Sequence, residues 1–137
     1  LVLVTPKVEV STRTARSILP SQIPRADAIL QGTRLSAMVD ACYRDDLQAF
    51  CANAVDVIAE PTRLHLIPGG EAALKAALES GAMQSFLCGS GPTLGAIVNT
   101  QECGFLVADA MTDAVSKAGV SSTIHFSRLD NLGARLL

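Results

Sequence analysis

Between two short apolar runs, residues 83–88 and 94–99, lie Gly89, Ser90, Gly91, Pro92 and Thr93. Two glycines and a proline in so short a link permit positive φ angles and a sharp reversal, so the runs read as neighbouring strands joined by a tight loop. This pair sets the frame into which the rest of the chain must fit. Leu1-Val2-Leu3-Val4 before Thr5-Pro6 reads as a further buried strand, and 122–128, where Ile124 and Phe126 alternate with His125, as the last one.

Between the first strand and the hairpin the apolar spacing is helical. Ser11 and Thr12 offer capping hydroxyls to a short helix over Arg13 to Leu19, which Pro20 ends. A second helix is expected from Asp27 through Leu30, Leu35, Met38, Val39 and Cys42. Asp45 opens a third, in which Leu47, Phe50, Cys51, Ala54, Val55 and Ile58 keep an amphipathic period until Pro61. Asp45-Asp46 suits a helix start, where the macrodipole favours acids, better than a metal site. Glu71 to Ser80 is another helix, with Glu71 and Lys75 paired one turn apart and Gly81 as its left-handed cap. A helix over Gln101 to Lys117 is expected to bury Phe105, Ala108, Met111 and Val115 and to end at Gly119. The order strand, helices, strand, strand, helix, strand gives an α+β chain. It is the ferredoxin-like split β-α-β plan with extra helices in the first crossover, in one domain spanning 1–137.

With 49 % hydrophobic residues and a mean hydropathy of +0.35, the 137 residues can bury a single core. Eleven basic and 13 acidic residues are interspersed for a net charge of −2, which argues against nucleic acid or an anionic membrane as partner. The four cysteines, Cys42, Cys51, Cys88 and Cys103, form no CxxC pair, and His65 and His125 stand alone. Reduced core thiols in an intracellular compartment follow, with no metal site and no catalytic dyad or triad. No run has the length of a membrane span and no signal segment opens the chain. The opening strand begins as if cut from something longer, so a truncated product is one reading, and an apolar face left exposed where a missing domain would pack is expected.

Three segments can carry chemistry. The 89–91 turn can form an anion-binding nest of main-chain amides or be a plain hairpin turn; it has neither the lysine of a Walker loop nor the following helix of a dinucleotide fingerprint. Arg63 lies between Pro61 and Pro68, where a preorganised guanidinium suits a carboxylate, or else makes a surface ion pair or caps the preceding helix. In Ser11-Thr12-Arg13-Thr14-Ala15-Arg16, helical geometry puts Thr12 and Arg16 on one face and Arg13 on another; solvation of both arginines is the alternative.

Taken in order, Glu9-Val10-Ser11-Thr12 with Ala15-Arg16, Glu60-Pro61-Thr62-Arg63 with Leu66-Ile67-Pro68-Gly69, Gly89-Ser90-Gly91-Pro92-Thr93 and Gly133-Ala134-Arg135 resemble the homoserine kinases of the galactokinase, homoserine kinase, mevalonate kinase and phosphomevalonate kinase (GHMP) superfamily. The Pro-x-Arg-x-x-Leu-Ile-Pro-Gly stretch is the specific part, since mevalonate kinases do not share it. The resemblance implies a GHMP C-terminal domain without its amino-terminal ATP-binding domain. It implies ATP-dependent phosphorylation of L-homoserine to O-phospho-L-homoserine in threonine biosynthesis, with ATP and Mg2+ held mainly by the amino-terminal half. By motif position Arg16 and Arg63 would hold the substrate carboxylate, and Gly89, Ser90 and Gly91 would support the phosphate loop. Cys88 stands where many relatives have serine, and the principal phosphate loop, Pro-x-x-x-Gly-Leu-Gly-Ser-Ser, is not in these residues. The fragment alone is therefore expected to be inactive. Its partners would be L-homoserine and the amino-terminal domain, a homodimer is compatible with it, and its compartment would be the cytoplasm, or the plastid stroma in a photosynthetic eukaryote. The rival readings are a non-catalytic amino-acid-binding module of ferredoxin-like fold and another GHMP small-molecule kinase.

Overall fold

The structure is a computed structural model, described here for residues 1–130 and 132–133. Its strands are β1 (Val2–Pro6), β2 (Gln84–Leu87), β3 (Leu94–Ile97) and β4 (Ser122–Phe126). They form one antiparallel sheet in the order β2-β3-β1-β4. Helices α1 (Thr12–Ser17), α2 (Arg25–Tyr43), α3 (Leu47–Asn53), α4 (Glu60–Arg63) and α5 (Gly70–Glu79) lie in the crossover from β1 to β2, and α6 (Gln101–Lys117) in that from β3 to β4. This is the ferredoxin-like plan expected from the sequence, enlarged in its first crossover.

Alternation in β1 builds the core. Val2 and Val4 are fully buried with Leu94 and Ala96 of β3, beneath Ala73, Leu74 and Ala77 of α5 and Val107, Ala108, Met111 and Val115 of α6. Small residues at the α5 contact positions let that helix lie close to the sheet. Helix α6 starts where expected because Thr100 Oγ1 accepts the Cys103 N–H at 3.1 Å; α3 is opened not by Asp45, which has φ +53°, but by Asp46, whose Oδ1 accepts the Ala49 N–H at 2.9 Å.

Several sequence expectations need correction. The third amphipathic period does not run to Ile58, because the helix stops at Asn53. The main chain beyond it is taken by side chains: Gln31 donates to Val55 O and accepts from Val57 N, while Asp56 Oδ1 accepts from Ile58 N and Ala59 N. Such bonds compete with helix, and the β-branched residues there resist it little. Helix α2 begins at Arg25 rather than Asp27, with Pro24 as its cap. Lys75 pairs with Glu79, at 3.6 Å, and not with Glu71. Phe105 is half exposed instead of buried; it sits at the margin of the α6 apolar stripe and meets Phe126 edge-on at 5.2 Å. The outward side of α2 carries exposed Ile29, Leu35, Val39 and Tyr43. Among the described residues no helix is long and apolar enough to cross a membrane.

Candidate functional site

The loop after β2 is the meeting point of the three chemistry-bearing segments. Gly89 and Gly91 both take positive φ, +59° and +84°, and the Gly91–Pro92 peptide is cis. A side chain at Gly91 would be strained by the left-handed backbone, and its Cβ would lie 2.8 Å from Ile67 Cδ1, so that the end of the Ile67 side chain would have to shift. The loop is closed by Cys88 N–H donating to Thr93 O at 2.9 Å, and it is tied to β1 by the Thr5–Thr93 hydroxyl pair at 2.9 Å. On its other side Thr12 of α1 approaches Ser90, Oγ1 to Oγ, at 3.4 Å.

Arg63, the last residue of α4, joins these parts. Its Nε donates to Ala15 O at 3.2 Å and its Nη1 to Gly89 O at 3.1 Å. The guanidinium thus bridges α1 and the glycine loop, and it neither caps its own helix nor forms an ion pair among the described residues. Two of its N–H groups are used in this way, leaving three of the five that a guanidinium carries for another acceptor. Arg16 follows the residue whose carbonyl Arg63 grips. Its side chain is exposed and makes no hydrogen bond or ion pair among the described residues. Helical geometry places it one turn beyond Thr12, on the side of α1 that faces Ser90. Arg63 and the 89–91 turn are therefore in contact, with Arg16 on the facing side of the third segment.

Glu60 is the site residue that the motif contained but for which the sequence offered no role. Its Oε2 accepts the Leu87 N–H at 2.7 Å, just before the loop. Register explains why that amide is available: among the described residues β2 pairs only with β3, and the main-chain groups of Ser85 and Leu87 turn away from it, toward the open edge. Ser85 N–H is met by Gln84 Oε1, whose own Nε2 reaches Cys51 O at 2.7 Å. The signal for Glu60 was its spacing three residues before Arg63, one helical turn, but the unpaired amide it serves could not be read from sequence. Burial pushes the Glu60 carboxyl above the ordinary glutamate range, against the lowering effect of the Leu87 hydrogen bond, with nearby Asp56 adding to the rise.

The remainder of the specific motif is structural. Ile67 is buried in the core, and Gly69, at φ +74°, starts α5 against the backbone of α6 at Ala114 and Val115. Burial raises the Cys88 thiol, as it does that of Cys51, so each favours the neutral, unreactive form. Ala134 and Arg135 of the tail motif lie outside the described residues. Among the described residues no group of three or more His, Cys, Asp or Glu could hold a metal ion. A cavity of about 520 Å³ lies elsewhere, between Val98, Thr100, Phe105, Phe126 and Arg128, and none of the residues just described lines it.

Residues 38–117 match the family described as GHMP kinases C terminal. Among solved structures, the chain is similar to homoserine kinase from Cytophaga hutchinsonii, with 33 % identity and a TM-score of 0.85 over 90 % of its own length. It spans 39 % of that chain. A family match over more than half of the residues, together with the same fold, shows that the chain belongs to the GHMP kinases, of which it carries the C-terminal domain.

Proposed function

We propose that this chain is the carboxy-terminal part of an ATP-dependent homoserine kinase, in which Arg63 and Arg16 hold the carboxylate of L-homoserine beside the 89–91 turn. The observation that carries the reading is the Arg63 bridge. A guanidinium fixed by Ala15 O and Gly89 O, with donors left over, is oriented before any ligand arrives. A bidentate carboxylate clamp supplies both charge compensation and direction. Holding the amino acid by that end places its side-chain hydroxyl for in-line attack on the γ-phosphate of ATP, where positioning accounts for much of the rate. The main-chain amides of Gly89 and Ser90 would line the phosphate side of the same space, that of Gly91 being engaged by Cys88 O at 3.0 Å. In this reading ATP and Mg2+ are held mainly by the amino-terminal half, and the part assigned to this chain is placement of the amino acid.

The test is ADP release by the natural full-length protein that contains this chain, offered L-homoserine, mevalonate or galactose. Turnover is expected with homoserine alone. Arg63→Ala and Arg16→Ala should each raise KM for homoserine tenfold or more, roughly 1.4 kcal/mol or above, and leave KM for ATP in place. Turnover with mevalonate or a sugar and not homoserine would overturn the substrate; homoserine binding without turnover would favour a regulatory amino-acid-binding module.

A further inference from the structure

Helix α4 has four residues, too few to hold its own shape, and its N-cap Ala59 supplies no side-chain acceptor. Its far end is anchored by Leu64, Leu66 and Ile67, which follow it onto the core, and the rest of its position depends on what its side chains grip. At its first residue Glu60 accepts the Leu87 N–H at 2.7 Å, and at its last Arg63 donates to Gly89 O at 3.1 Å. Leu87 and Gly89 lie two residues apart where β2 runs into the loop. Helix and strand end therefore form a closed ring, with two hydrogen bonds from charged groups as its rungs. Glu60 makes no ion pair with Arg63 or with any other cation among the described residues, so its carboxylate is not neutralising the guanidinium.

We infer that Glu60 is a positioning residue: by gripping the Leu87 amide it sets the angle at which α4 presents the remaining donors of Arg63 to the substrate carboxylate beside the 89–91 turn. The role rests on the amino-acid kinase reading given above. Without the Glu60 rung, α4 is free to pivot about its Arg63 end, and the open edge of the guanidinium shifts relative to the loop. The effect falls on capture of the amino acid and not on the nucleotide. Asp56, which caps the two residues before Glu60 through Ile58 N and Ala59 N, holds the approach to α4 but does not touch the strand.

The experiment compares the natural full-length protein with its Glu60→Ala, Glu60→Asp and Glu60→Gln variants by two readouts: initial rates over homoserine and ATP, and solvent exchange of the Arg63 Nε–H by NMR. Glu60→Ala is expected to raise KM for homoserine about tenfold with KM for ATP unchanged, and to speed Arg63 Nε–H exchange. Glu60→Asp, a methylene too short, should move the same way. Glu60→Gln keeps an acceptor oxygen in place and should recover most of the wild-type affinity. Folded Ala and Asp variants with unchanged Arg63 exchange and unchanged KM, even if they melt earlier, would overturn the inference. A wild type that does not phosphorylate homoserine sinks the substrate assignment instead, and the exchange measurement then decides the positioning role alone.

Discussion

Glu60 is a half-buried carboxylate whose burial disfavours its charge, and this gives stability a pH dependence of definite sign. Because the folded value is raised, the folded protein binds the Glu60 proton more tightly than the unfolded chain does. The associated stability is fully present below the ordinary glutamate value, about 4.3, and is lost as pH rises through the folded value. Melting temperature should therefore show a decline from about pH 4 upward that Glu60→Gln flattens, since the amide keeps an acceptor for Leu87 N–H without the charge. An identical decline in the Gln variant would assign it to other groups. Arg63 shows the reverse relation between sequence and structure. Its bracketing prolines made it legible as a preorganised cation, but both carbonyls it grips come from segments 26 and 48 residues away.

The glycine loop is where local chemistry and tertiary packing agree. Gly91→Ala combines a positive φ with a contact on Ile67, itself buried in the core. A loss of about 1–3 kcal/mol is expected in chemical denaturation, with weaker substrate binding if the loop shifts. A variant as stable as wild type would show that the loop can open without disturbing the core. The hairpin, α5 and α6 were readable from the sequence because glycines, caps and apolar spacing all pointed the same way. Helix α3 was read too long because its period continues through Val55 and Ile58, while Gln31 and Asp56, distant or non-periodic, claim the backbone there. Periodicity reports which side would face inward; it does not report a competing acceptor from another helix.

At the scale of the whole molecule, the strand order was legible because the split β-α-β plan leaves few alternatives once element order is known. The outer face of α2 was expected only in general terms: its exposed Ile29, Leu35, Val39 and Tyr43 follow from a helix that touches the body along a polar-centred stripe including Gln31. Because the chain spans 39 % of its homoserine kinase relative, residues 1–137 purified alone are expected to show no homoserine-dependent ATP turnover, as measured by ADP release. Robust turnover would mean that this domain holds the nucleotide unaided. The two margins of the sheet also differ in kind. Along β2, the outward amides of Ser85 and Leu87 are already engaged by Gln84 and Glu60, which closes that border to strand addition. Along β4, the pairing with β1 turns the main-chain groups of Ile124 and Phe126 away from the sheet. Any further strand, from this polypeptide or another, can therefore extend the sheet in one direction only, and the border it would occupy is the one remote from Arg63.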